Sequence, residues 1–92
     1  MIEFLMHDDK DNVGVAVVDI KSGRQVGGQS LHGQARPRVK ALKDIPLGHK
    51  IALRDFKPGD TVIKYGEDVG KVVAAIKKGE HVHVHNLKTK RW

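Results

Sequence analysis

Short apolar runs rich in Val and Ile recur along the chain, and Gly, Pro, Asp or Lys residues separate them, as in strands joined by tight turns. The runs are IEFLM, NVGVAVVD, HKIALR, DTVIKY, VGKVVAAI and HVHVHNL. Period-two alternation is clearest in the last run, where Val82 and Val84 alternate with His81, His83 and His85. This pattern predicts a mostly β fold of many short strands, typical of a compact barrel-like or clip-like domain.

Three segments of similar sequence mark the turns between these runs: VDIKSGRQV, RDFKPGDTV and AAIKKGEHV. Each has a glycine two residues after a lysine, namely Gly23, Gly59 and Gly79. Their unequal spacing excludes a solenoid array and favours one turn type used three times, with glycine supplying a positive φ. The Gly-rich segment 27–38 is predicted to form a long hairpin or loop insertion.

The composition describes one small domain over residues 1–92, with 39% hydrophobic and 4% aromatic residues. A core built from Val, Ile, Leu and Ala in so short a chain is thin, which favours dependence on a partner surface. The chain has no cysteine, which excludes disulfides and thiolate metal sites. The first apolar run is too short for a signal peptide or a membrane span. We therefore predict a cytoplasmic protein without membrane contact.

The net charge of +6 is compatible with nucleic acid, an acidic partner or small anionic substrates as binding partners. Basic residues group at 36–43 and 88–91. Neither group alternates with aromatic residues as a base-stacking surface would, which makes nucleic acid the weakest of the three hypotheses.

The three histidines of HVHVHNL are the first candidate site. On a strand, His81, His83 and His85 share one face, and the outer pair lies about 13 Å apart, too far to bind one ion without a bulge. At most two would act together, and the sequence shows no other cluster that clearly supplies further ligands. The alternative is structural: Val82 and Val84 face the core and the imidazoles face solvent or a partner.

Two further stretches carry polar candidates. In PLGHKIALRD, His49 and Lys50 open a strand and point to opposite faces, so one of them at most faces a given site. In IKYGEDVG, Lys64 and Tyr65 could bind an anion, but a hairpin closed by Gly66 has the same sequence pattern.

Taken together, PLGHKIALRD, VIKYGEDVG and KKGEHVHVHNL resemble the SAF (β-clip) domain of the altronate and galactarate dehydratase family. The resemblance runs from about Val13 to Leu87 and implies a small single-domain β-clip fold. In the sugar-acid dehydratases this domain belongs to a much longer polypeptide. A free-standing chain with the 27–38 insertion is more similar to small subunits of two-component lyases.

This resemblance implies β-elimination from an anionic hydroxy acid, with sulfite leaving from sulfolactate favoured and water leaving from a sugar acid as the alternative. Iron(II) or another divalent metal is expected to be held mainly by a large catalytic subunit. The chain lacks a complete set of acid–base groups, so we expect it to be inactive alone. A free-standing SAF binding module is the remaining alternative.

The resemblance also implies roles for the candidate residues. His81, His83 and His85 are expected to belong to a shared active site, with His83 and His85 as candidate metal ligands. The candidate substrate-binding residues are His49, Lys50, Lys64, Tyr65 and Asn86. The C-terminal tail, residues 88–92, is expected to bind the partner through Arg91 and Trp92.

Overall fold

The computed structural model describes residues 2–83 and 85–89, which form short strands and tight turns. The strands are β1 (Phe4–Met6), β2 (Val13–Ala16), β3 (Gln25–Ser30), β4 (Arg38–Lys40), β5 (Lys50–Ala52), β6 (Thr61–Lys64), β7 (Glu67–Val72), β8 (His81–Val82) and β9 (Leu87–Thr89). The predicted mostly β architecture is confirmed. Across these residues no helix is long and apolar enough to cross a bilayer.

The strands form two sheets, one of six strands in the order β4-β3-β1-β2-β5-β8 and one of three in the order β6-β7-β9. Asn12 joins them, because its Nδ2 donates to the Thr61 carbonyl at 3.1 Å and its Oδ1 accepts from the Ile63 N–H at 2.7 Å. The four residues that connect β8 to β9 carry the chain from the larger sheet to the smaller one. The candidate histidines therefore lie at the junction of the two sheets.

The Gly turns pair with one another through hydrogen bonds from backbone N–H groups to aspartate side chains. Gly23, Gly59 and Gly79 have φ values of 91°, 93° and 93°, which confirms the predicted turn type, and Gly48 adds a fourth turn at 86°. Two turns cap each other: Asp44 Oδ1 accepts from the Ser22 N–H at 2.8 Å, and Asp19 Oδ1 accepts from the Leu47 N–H at 2.9 Å.

The second pair of turns is capped from one side. Asp55 Oδ1 accepts from the Lys78 N–H at 2.8 Å. At the reciprocal positions Ala75 has no carboxylate and Pro58 has no N–H, so the second bond cannot form. In both pairs, an apolar residue of one turn forms an isolated bridge with its counterpart, Ile20 with Ile45 and Phe56 with Ile76.

Strand β5 separates two hydrophobic cores. Ile51 packs into a core with Phe4, Met6 and Ala16, whereas Ala52 packs on the other side with Val62 and other residues of the smaller sheet. Both residues are completely buried, so β5 is covered on both faces. A strand enclosed in this way gives His49, directly before it, a fixed backbone.

Segment 27–38 begins within regular structure. Gly27–Ser30 belong to β3, which pairs in parallel with β1 and antiparallel with β4. One of these positions requires glycine, because a Cβ on Gly28 would overlap the ring of Phe4. The irregular connection is confined to residues 31–37.

Candidate functional site

HVHVHNL does not form one strand, which corrects the prediction from its alternation. Strand β8 ends at Val82, and β9 begins at Leu87. Between them the chain turns: the His83 carbonyl accepts from the N–H groups of Asn86 at 3.1 Å and Leu87 at 2.9 Å. The prediction failed because the side chain of Asn86 stabilises this turn, and period-two alternation takes no account of side-chain caps.

Asn86 uses both ends of its amide on the backbone. Its Oδ1 accepts from the His83 N–H at 2.9 Å, and its Nδ2 donates to the His81 carbonyl at 2.8 Å. The residue is 7% exposed. Asn86 fixes the backbone that carries His81 and His83, and its predicted contact with substrate stays a prediction.

The register of β5 and β8 brings His49 to the same place. Lys50 pairs with Val82 and Ile51 with His81, so the next pair outward is His49 with His83. Residues opposite each other, and residues two apart on one strand, share a face of a sheet. His49, His81 and His83, here named the histidine cluster, therefore meet on one face, and His49 supplies the further ligand that the sequence did not clearly show.

The imidazoles of the histidine cluster are in close contact. Nδ1 of His49 and Nε2 of His81 lie 2.8 Å apart, a hydrogen bond in which the tautomers decide the donor. The rings of His49 and His83 stack with centroids 4.0 Å apart at 21°. One ligand nitrogen from each residue lies within 4.8 Å of the other two.

Burial and neighbouring charge favour neutral imidazoles. Desolvation, followed by the charge of His49, lowers the pKa of His81 below its ordinary value, and the same two causes lower the pKa of His83. Desolvation and then the charge of Lys64 lower the pKa of Lys50. Nδ1 of His83 is buried without a hydrogen-bond partner in the described part of the chain. Such an atom is costly unless a ligand satisfies it.

A divalent transition metal fits this donor set. Neutral imidazole is a ligand for zinc, iron, cobalt and nickel, whereas Mg²⁺ and Ca²⁺ prefer oxygen. Of the two predicted ligands, His83 belongs to the cluster. His85 is exposed, with its ring centroid 5.1 Å from that of His81, and lies outside the group of converging nitrogens. The turn after Val82 accounts for this, because it removes His85 from the face that a continuous strand would have given it.

Lys64 and Tyr65 lie at a different place, the tip of the β6–β7 hairpin. Tyr65 and Gly66 have φ values of 60° and 70°, as a two-residue hairpin turn requires. The Tyr65 ring is exposed and contacts the ring of His7, with centroids 3.8 Å apart and ring planes tilted by 40°, and the Lys64 ammonium lies 5.1 Å from the Tyr65 ring centroid. Beside this tip is a cavity of about 200 Å³ lined mainly by apolar side chains, among them Leu5, Val15, Val17 and Leu31.

Sequence reasoning missed two features of the site. The first is the convergence of His49 with His81 and His83; a usable signal is that His49 and His81 both follow related Gly turns, those of Gly48 and Gly79. The second is Lys43, which lines a cleft of about 410 Å³ together with His81 and His85. Arg91 and Trp92, the predicted partner contacts, lie outside the described residues, as does Val84.

Comparison with known proteins places this sequence in a family. The sequence profile of the altronate/galactarate dehydratase SAF domain matches residues 2–90. The chain is 47% identical over 92 residues to (2R)-sulfolactate sulfo-lyase subunit alpha of Chromohalobacter salexigens, covering 99% of this chain and 98% of that protein. It is 62% identical over 55 residues to the protein of the same name from Paracoccus pantotrophus, covering 60% of this chain and 82% of that protein.

A longer relative matches the same domain. The altronate dehydratase of Bacillus subtilis is 37% identical over 89 residues, which is 97% of this chain and 17% of that protein. The chain therefore corresponds to a small part of the dehydratase polypeptide and to nearly all of the C. salexigens subunit. On this profile match and these identities, the chain belongs to the altronate/galactarate dehydratase SAF domain family.

Proposed function

We propose that this chain is the small subunit of a two-component lyase that catalyses β-elimination from an anionic hydroxy acid, with sulfolactate as the favoured substrate. The observation that carries the proposal is the histidine cluster, three half-exposed imidazoles whose nitrogens converge at the junction of the sheets. The match to a sulfo-lyase subunit alpha over nearly its whole length supports a subunit role.

The proposed reaction begins with removal of the proton from the carbon beside the carboxylate. The electron pair of that C–H bond forms the new C=C bond as the C–S bond breaks, and sulfite departs with the electrons of the broken bond. The resulting enol becomes pyruvate by proton transfer. Catalysis requires a base for the proton and stabilisation of negative charge near the carboxylate.

The described residues supply part of these requirements. Imidazole can accept or donate a proton near neutral pH. Lys50, which pairs with Val82 and so lies on the strand face opposite the histidine cluster, and Lys64 contribute positive charge that attracts an anionic hydroxy acid from a distance. The histidine cluster contains no carboxylate. A large partner subunit therefore has to supply the rest of the acid–base set.

Iron(II) or another divalent metal is the expected cofactor; the resemblance implies that the partner supplies most of its ligands, and the histidine cluster offers three from this chain. When bound, the metal would stabilise negative charge on the substrate oxygens. The tail residues Arg91 and Trp92 are proposed to contact the partner, because Arg and Trp are frequent anchors of interfaces. A cytoplasmic location is proposed on the absence of cysteine.

The second candidate is the small subunit of an altronate- or galactarate-type sugar-acid dehydratase, in which water is the leaving group. The altronate dehydratase of Escherichia coli, 43% identical over 79 residues, favours this candidate. The two candidates differ in the leaving group and not in the proton removed, so the histidine cluster could take part in either reaction. A free-standing binding module is the outcome if no partner completes the site.

The test is an anaerobic assay with ferrous iron against sulfolactate, altronate and galactarate. The pure chain should turn over none of them, and the chain assembled with its large subunit should release sulfite from sulfolactate. Release of water from altronate or galactarate by the assembled enzyme would favour the second candidate. Turnover by the pure 92-residue chain would overturn the two-component proposal.

A further inference from the structure

The histidine cluster has the features of a metal site that belongs to this chain alone. Its three ligand nitrogens come from elements whose backbones are fixed independently of any partner. The turn bonds hold His83, the Asn86 amide holds His81, and the backbone of His49 donates to the Pro46 carbonyl and accepts from the Ala16 N–H. Ligand backbones held in this way lower the cost of organising a metal site.

One of the three distances between ligand nitrogens is close to the value that a metal requires, and all three are within 4.8 Å. Two nitrogens bound at about 2.0–2.1 Å in tetrahedral geometry lie about 3.4 Å apart. Nδ1 of His49 and Nε2 of His81 are 2.8 Å apart, so they must separate by only about 0.6 Å, exchanging their hydrogen bond for two bonds to a metal. Rotation of the two imidazoles can supply this movement while the backbones stay in place.

Two further observations point to a ligand. Nδ1 of His83 is buried and has no hydrogen-bond partner among the described residues, so one of the three rings carries an uncompensated lone pair or N–H. The half-exposed rings leave one side of the cluster accessible. An accessible side is typical of catalytic metal sites, which keep a position for water or substrate.

The geometry points to a site for one divalent transition metal, of the Fe²⁺, Co²⁺ or Zn²⁺ class, bound by His49, His81 and His83 of this chain. The substrate or the partner occupies the remaining coordination positions. His85 is not a ligand of this site. The site exists whatever reaction the assembled protein catalyses, so it can be tested separately from the proposed function.

The test is titration of the pure, full-length chain with Co²⁺, followed by its visible absorption, and with Zn²⁺ in competition. The wild-type chain should bind one Co²⁺ and release it to one Zn²⁺. The variants His49→Ala, His81→Ala and His83→Ala should each bind about 100-fold more weakly or worse, since each loses a direct ligand. The matched controls His85→Ala and His32→Ala should bind within about threefold of wild type.

An equal loss in His85→Ala and His83→Ala would overturn the site, because it would identify adventitious binding by the HVHVH run. Binding by wild type no tighter than by the variant lacking all three ligands would also overturn it. A measurement on the wild-type chain keeps the site testable even if some variants fail to fold. In the ¹⁵N-labelled wild-type chain, Zn²⁺ should shift the imidazole nitrogens of His49, His81 and His83 and leave those of His32 unchanged.

Discussion

The histidine cluster and the tip of the β6–β7 hairpin both present aromatic rings and a lysine at the surface. They differ in how far the local backbone structure explains which residues stand there. At the hairpin tip, the positive φ of Gly66 accounts for the glycine, and the Tyr65 ring is in contact with the ring of His7. In the histidine cluster, Asn86 binds the His83 N–H and the His81 carbonyl. One buried imidazole nitrogen, Nδ1 of His83, is left without a hydrogen-bond partner among the described residues.

This difference separates structural residues from candidate functional ones. Where the turn itself demands the residue, a substitution should change stability. Where the backbone is held by other groups and the side chain is left with unused binding capacity, a substitution should change activity. The following predictions test this separation.

The largest effect is expected at His83. His83→Ala should lower turnover per assembled complex by about 100-fold or more, the typical loss when an acid–base or metal-binding group is removed. It should change the free energy of unfolding by less than about 0.5 kcal/mol, because the residue is partly exposed.

Val82→Ala is the matched control for His83→Ala. Val82 is completely buried, so this variant should lose about 1–3 kcal/mol of stability and retain its turnover per folded complex. Urea unfolding and reconstituted turnover, measured on the same preparations, check both variants. A His83→Ala chain that unfolds easily but retains full turnover would make the histidine face structural.

Asn86→Ala should affect both properties. It removes the partners of the His83 N–H and the His81 carbonyl, at a cost of about 1–3 kcal/mol, and it releases the two imidazoles from their positions. Co²⁺ affinity should fall by about tenfold, as for other residues that orient ligands. Asn86→Asp is the control: it keeps the acceptor for His83 and places a carboxylate against the His81 carbonyl. Equal Co²⁺ affinity in wild type and Asn86→Ala would refute this positioning role.

Gly66→Ala should affect stability alone. A Cβ there meets only Asp8 atoms at 3.7 Å or more, so the expected cost is the left-handed backbone conformation, about 1 kcal/mol. Thermal unfolding measures the cost, and turnover of the complex should stay unchanged. A turnover loss comparable to that of His83→Ala would show that the hairpin tip belongs to the site.

The smallest effect is the pH dependence of stability in the metal-free chain. The pKa values of His81 and His83 are lowered on folding, so the unfolded chain binds protons at higher pH than the folded chain does. Stability should therefore fall as the pH decreases from above about 6.5, the ordinary histidine value, towards the folded pKa values. Urea unfolding with a chelator at several pH values should show a smaller loss in the His81→Gln, His83→Gln double variant. An equal loss of stability in wild type and double variant would refute the assignment of this pH dependence to His81 and His83.

Much of the fold could be predicted because local patterns specify it. Val- and Ile-rich runs gave most of the strands, and the Gly turns at Gly23, Gly59 and Gly79 have the predicted backbone conformation. The mutual caps of Asp19 and Asp44 could not be predicted, because each carboxylate serves a turn more than twenty residues away.

The candidate site was harder to predict for the same physical reason. His81 and His83 are near each other in sequence, but the third member of the cluster, His49, arrives through the register of β5 and β8. The break after Val82 depends on one buried amide, that of Asn86, which resembles any polar residue at the end of a strand. Long-range pairing and side-chain caps decide this site, and neither leaves a periodic signal.

The most direct test of the account is to map histidine modification by diethyl pyrocarbonate in the assembled enzyme, with and without sulfolactate, by mass spectrometry. If the histidine cluster faces the shared active site, sulfolactate should protect His49, His81 and His83, while the exposed His32 reacts equally in both samples. Protection should disappear when sulfolactate is added to the small subunit alone. Complete modification of His81 and His83 with turnover intact would contradict the account.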